Sequence, residues 1–261
     1  MEEKNHNDQE AQYVEILKSG TEEERMSALE SLTMLGSLRG VWEALRNENR
    51  AVSHRAIASF IKLKASEQLC HAVKMHDSAT VRRASVHALK DIGDLEWIKE
   101  AVRTDDLVAS FMAMCVLANA GDNAASERLS IEICRDDHVS TFVADAASRI
   151  GCGKLAVFIV EKIELALESS KDVDFEVAPH RTTVEHLSRI LDKDSDSVSV
   201  DTLKRIEELP EHVRFWRVTF RNGKPEGVPI CLAKRAAKLR QHERTSRSRI
   251  TSGFTGPRQT N

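Results

Sequence analysis

Shifted copies of one helix-pair pattern recur along the first two-thirds of the chain at intervals of about 28 to 30 residues. Val52, Val81, Val108 and Val139 open successive helical stretches, and Gly36, Lys64, Gly93, Gly121 and Gly151 stand at the breaks after them. The apolar positions keep register from copy to copy. Leu32, Leu35, Val41 and Leu45 become Phe60, Leu63, Leu69 and Val73, then Leu89, Ile92, Ile98 and Val102. Small residues stand beside them at Ser31, Ser59 and Ala88, which lets helices approach closely. A unit of this length cannot bury its own apolar face, so neighbouring units must stack. The expected fold is therefore all-α, an α-solenoid of about five short helical repeats, and the expected activity is that of a binding surface.

The spacing predicts first helices near 21–35, 50–64, 79–92, 106–120 and 137–150. Second helices are predicted near 38–47, 66–75, 94–103, 122–134 and 153–169. Turns of two or three residues between them force antiparallel neighbours. An amphipathic helix over 8–19 precedes the first repeat, and Thr21 with Glu24 forms a capping box at the start of the next helix. The repeat region thus spans 8–169. Residues 170–243 form a small C-terminal region with short helices over 182–191 and 201–209, and a hairpin whose turn is Asn222-Gly223. A basic helix follows over 231–243. The Ser-, Thr-, Arg- and Gly-rich stretch 244–261 is expected to be disordered.

The third copy, Asp77 to Asp94, resembles a HEAT repeat, in the short version of about 30 residues found in phycobilin-lyase-type HEAT proteins. The matching features are Asp77 as a cap, Val81-Arg82, the packing pair Ala84 and Ala88, and the break Ile92-Gly93-Asp94. Other copies depart from it, with Arg55 in place of the packing Ala and Lys64 in place of the break Gly. The resemblance covers roughly 21–169. It implies a solenoid whose second helices line a concave side, and it brings the bilin lyase or chaperone-like subunits of that family as an alternative activity. A fold of this kind hosts many roles, so the function rests on the site.

Composition narrows the chemistry. The five cysteines are widely spaced without a CxxC pair, as expected of a reducing compartment, and four of them fall in apolar helical surroundings. The N-terminal MEEKNHNDQE reads as neither a signal nor a transit peptide, and the longest uncharged run, 107–120, is too short to cross a bilayer. A cytoplasmic location is expected, or a nuclear one in a eukaryote. No metal site or cofactor is expected. There is no HExxH, and the Asp192-Lys-Asp194-Ser-Asp196 run lacks the Gly and the terminal acid of an EF-hand loop. The paired His-Glu steps of deoxyhypusine hydroxylase, a helical-repeat enzyme, are absent, because His242-Glu243 is the sole His-Glu step.

Binding is expected through the second helices, where Trp42, Arg46, Trp97 and Arg103 are the candidate contacts on the concave face. Tryptophan is over-represented among residues that dominate protein interfaces. These helices mix signs, with Arg39, Lys74, Lys99 and Arg128 against Glu43, Glu96, Glu100 and Glu127, which suits a protein surface better than a phosphate backbone. The chain also pairs an acidic N-terminus with a basic end that includes Lys234, Arg235, Lys238 and Arg240. That end carries the further alternative of nucleic-acid association. The leading expectation is a non-enzymatic adaptor or scaffold for a protein partner.

Overall fold

The helices break where the backbone turns left-handed. Gly36, Gly93, Gly121 and Gly151 have φ of 71°, 81°, 96° and 79°, and Lys64 holds the same place at 51°. Lys64 is the one non-glycine residue among them and bears the steric cost of that conformation. In the computed structural model the described residues are 2–135, 138–169, 180–210, 213–221 and 224–241. The connector around Pro179, the Asn222-Gly223 turn and the tail 244–261 lie outside them.

The described residues are overwhelmingly helical. The helices are α1 (Glu2–Ser19), α2 (Glu22–Met34), α3 (Leu38–Leu45), α4 (Arg50–Lys62) and α5 (Ser66–Met75). They continue with α6 (Ala79–Ile92), α7 (Leu95–Ala101), α8 (Leu107–Asn119), α9 (Asn123–Ile133), α10 (His138–Ile150) and α11 (Ala156–Ser169). Then come α12 (His180–Lys193), α13 (Val200–Glu208) and α14, over residues 232–241. α1 starts six residues ahead of the predicted 8–19 helix. The chain divides into two compact units, Met1–Leu129 and Ser130–Asn261, with the division inside α9. The fifth helix pair therefore groups with the C-terminal region.

In the N-terminal unit, α2, α4, α6 and α8 follow one another in contact, and α1 with α3 and α5 with α7 pack in the same way. The equivalent positions Leu32, Phe60 and Leu89 are fully buried, as are Val41, Leu69 and Ile98. Ile92 is only half-buried, because it ends α6 beside the left-handed Gly93. α8 is buried from Val108 through Ala118. No helix among the described residues is long and apolar enough to cross a membrane.

The capping box is in place: Glu24 N–H donates to Thr21 Oγ1 (3.3 Å), and Thr21 N–H donates to Glu24 Oε2 (2.8 Å). The bond from Thr21 N–H and a second from the Thr21 hydroxyl (3.0 Å) hold the Glu24 carboxyl below its ordinary value. Asp77, in contrast, does not cap α6. Ser78 occupies that place, and Asp77 instead offers its main-chain carbonyl to Arg82 (2.8 Å). Arg55 is tolerated because its counterpart Ala84 is itself only half-buried, while the neighbours Ala56 and Ser85 take the buried positions. Arg55 then pairs with Glu30 at 2.9 Å.

A second periodicity joins the pairs. A polar residue following each of α3, α5 and α7 bonds to a main-chain carbonyl in the last turn of the helix two before it. Asn47 Nδ2 donates to Leu17 O (2.8 Å), and Thr104 Oγ1 donates to Val73 O (3.0 Å). Between them His76 Nε2 lies 3.3 Å from Leu45 O. Helix C-termini carry carbonyls with no partner in their own helix, so each repeat caps its predecessor. Asp106 adds a tighter lock. It accepts from Ala109 N–H at the start of α8 (3.1 Å) and from Arg82 Nε (3.1 Å), with Arg83 Nε at 3.5 Å. Burial pushes the Asp106 carboxyl up, but these hydrogen bonds and arginines outweigh it and hold it below its ordinary value.

In the C-terminal unit α12 packs on α10 and α11, and α13 packs on α11. β1 (Arg214–Arg221) pairs antiparallel with β2 (Lys224–Cys231), from Arg214 opposite Cys231 to Arg221 opposite Lys224. A side chain on Gly153 would place its Cβ 2.5 Å from Asp194 O, so only glycine allows this approach. Asp194 closes it by accepting from Gly153 N–H (2.7 Å) and Ser197 Oγ (2.7 Å). Cys70, Cys115 and Cys152 are buried, but Cys134 is exposed and Cys231 half-buried, so three rather than four cysteines sit in apolar packing.

Candidate functional site

Trp42 and Trp97 line one groove of about 430 Å³, together with Glu67, Gln68, Cys70, His71 and Lys74. All seven residues belong to the N-terminal unit, on α3, α5 and α7. The local sequence explains their convergence. Val41, Leu69 and Ile98 are equivalent core positions; Trp42 follows the first and Trp97 precedes the third, so the two indoles lean from opposite sides toward α5. Gly40 lets α3 settle closely on α2, since a Cβ there would lie 2.5 Å from the Leu32 side chain. Ser37 fixes the start of α3 by accepting from Gly40 N–H (2.9 Å).

Both tryptophans are half-buried. The Trp42 ring packs against the buried Phe60 (centroids 6.3 Å, planes at 51°) and against the His71 imidazole (4.9 Å, 42°). The ring is thus held against the core while the residue also lines the groove. On α5, Glu67, His71 and Lys74 fall at i, i+4 and i+7, one helical face. Lys74 Nζ is committed to Glu100 Oε2 at 3.2 Å, and Glu100 also holds Arg103 at 3.1 Å. Glu67 is exposed and has no ion-pair partner among the described residues.

Burial pushes the Cys70 thiol up, with Glu100 adding to the shift and Lys74 opposing it, whereas a reactive cysteine needs its thiolate favoured. Among the described residues no three His, Cys, Asp or Glu side chains cluster in a way that could hold a metal ion.

Of the four residues expected to bind on the second helices, Trp42 and Trp97 come together and the other two do not join them. Arg46 is exposed at the end of α3, and Arg103, in the turn after α7, is exposed and tied to Glu100 of that helix. The basic residues Lys234, Arg235, Lys238 and Arg240 lie on α14, which buries Leu232 and Ala236. Arg235 pairs with Asp192 and Arg240 with Glu207, so part of that charge is answered within the C-terminal unit. Sequence reasoning missed the α5 contribution of Glu67, Gln68, His71 and Lys74. The usable signal was the placement of the two tryptophans one residue after and one residue before equivalent core positions. No known family model matches the chain, and a search of curated proteins finds no match.

Proposed function

We propose that the chain is a HEAT-like helical-repeat solenoid that binds a protein partner, without chemistry of its own, on the surface made by α3, α5 and α7. The repeat reading is supported by the shared left-handed breaks, the equivalent buried positions and the side-chain bonds from each repeat to its predecessor. The observation that carries the function is the groove, where two half-buried indoles flank a polar helical face. Rigid aromatic anchors beside adaptable polar groups are what recognition of a protein surface uses. Anchoring of Trp42 on Phe60 and His71 means that little side-chain freedom is lost on binding.

Affinity capture with the full chain and with a Trp42→Ala, Trp97→Ala double variant tests this reading. Partners recovered by the wild type should be lost, or bound at least about tenfold more weakly, by a double variant of unchanged helicity, as expected when hot-spot residues are truncated. Equal recovery of the same partners by both forms would refute it.

A further inference from the structure

We infer that the groove takes a basic side chain of the partner, an arginine in preference to a lysine, against its indoles with Glu67 as the counter-charge. This rests on the protein-binding reading and names the partner's chemistry. The argument is one of charge remaining after internal pairing. Lys74 is the only lysine or arginine lining the groove, and its ammonium is held by Glu100 at 3.2 Å. Glu67 is left as the formal charge without an ion-pair partner among the described residues, and it is exposed. A guest that met this lining with a carboxylate would face Glu67 directly, whereas Lys74 is already held by Glu100, which it shares with Arg103 outside the lining.

The aromatic part of the lining points the same way. Indole faces attract cations through their quadrupole, most strongly of all aromatic side chains. A guanidinium is planar and weakly hydrated, so it can stack on an indole and still donate hydrogen bonds at its edge, which an ammonium does less well. Glu67 and Gln68, adjacent on α5, offer a carboxylate and an amide oxygen as acceptors for that edge.

The test uses the full chain and defined probes. Indole N–H resonances of Trp42, Trp97 and Trp216 are assigned with single Phe variants. They are then followed while adding a short peptide that alternates glycine and arginine. Matched peptides carrying lysine, citrulline or glutamate in place of arginine serve as comparisons. The expected result is that the arginine peptide shifts Trp42 and Trp97 but not Trp216, with the citrulline peptide about tenfold weaker or more, and Glu67→Gln weakening the arginine peptide several-fold. Glu67→Lys should abolish the shifts, and both variants should melt like the wild type. The inference is overturned if the glutamate peptide shifts the same indoles as strongly, if Glu67→Gln changes nothing, or if no peptide moves either indole up to about 10 mM. Loss of the natural partner in the Trp double variant but full retention in Glu67→Gln would leave the binding reading standing and remove this one.

Discussion

In the N-terminal unit, neighbouring helix pairs are joined by uncharged side chains that reach main-chain carbonyls, as Asn47 does to Leu17 and Thr104 to Val73. Ion pairs link elements in both units, as Arg55 with Glu30 and Arg82 with Asp106 do in the first. Among the described residues, however, the repeated carbonyl cap is particular to the N-terminal unit, and the C-terminal unit relies on ion pairs. Arg205 reaches Glu161 and Glu164, Arg235 reaches Asp192, and Arg240 reaches Glu207. The contrast teaches how each unit specifies its register. A side chain that caps a helix C-terminus satisfies a carbonyl with no other partner, so its loss costs about 1–3 kcal/mol through desolvation. A half-exposed ion pair, by contrast, is worth about 0–1 kcal/mol and is screened by salt.

The largest effect that can break this comparison is in the shared core. Leu89 is fully buried at the centre of the N-terminal unit, so Leu89→Ala should cost about 2–5 kcal/mol in denaturant unfolding. Ile92→Ala, at the half-buried end of the same helix, should cost clearly less. Equal losses at the two positions would show that the burial of α6 is misassigned.

Next in size are the caps themselves. Asn47→Ala and Thr104→Val should each cost about 1–3 kcal/mol, by leaving the carbonyl of Leu17 or Val73 unanswered. Lys204→Ala, which removes an exposed pair with Asp201 in the C-terminal unit, should stay within about 1 kcal/mol. If the three variants fall together in chemical denaturation, the distinction between the two units is lost.

A smaller effect of opposite sign is expected at Lys64. Its φ of 51° is strained for any residue with a Cβ, so Lys64→Gly should stabilise by up to about 1 kcal/mol. A destabilised Lys64→Gly variant would mean that the lysine side chain contributes a contact that offsets the strain.

The smallest effect is a pH response confined to the C-terminal unit. His186 is buried 3.9 Å from Asp145, and burial lowers its pKa despite the opposing pull of that carboxylate. The folded imidazole therefore holds its proton less well than the unfolded one. Stability from this group is complete above the ordinary histidine value of 6.5 and is lost as pH falls from there toward the lower folded value. Amide protection in α10 and α12, corrected for the intrinsic pH dependence of exchange, should fall between pH 7 and 5 (roughly the range of an ordinary histidine), and His186→Gln should remove that fall. Asp106 in the N-terminal unit has its carboxyl lowered, so its contribution is present above the ordinary value of 3.8 and fades only below it. Protection in α6 and α8 should accordingly stay flat over the same interval.

Much of the helix pattern was legible because a left-handed break and a fixed apolar register leave marks in single residues. Gly36, Gly93, Gly121 and Gly151 mark the turns, and Leu32, Phe60 and Leu89 mark the core. Lys64 was readable as a break from spacing alone, although lysine does not favour that backbone. Asp77 misled because both it and Ser78 are residue types that favour a cap, and type alone does not choose between neighbours. The caps at Asn47, His76 and Thr104 were present as a polar residue after each second helix. Three different side chains perform the same bond, so the pattern does not show as identity.

The groove was half legible. Its indoles stood out by type, but Glu67, His71 and Lys74 become a lining only once α5 is placed beside α7 and faced by the Trp42 ring. On α14 the charges were read as a free basic surface, because the acids that meet Arg235 and Arg240 lie far away in sequence.

The most direct measurement of the central claim is site-specific photo-crosslinking in the cell of origin, with a benzophenone side chain placed at Gln68 in the groove or at Lys238 on the exposed face of α14. The account predicts a protein adduct from Gln68 that disappears when Trp97→Ala is added, and none of that mass from Lys238. An adduct from Lys238 alone, or one from Gln68 that persists without the tryptophan, would contradict it.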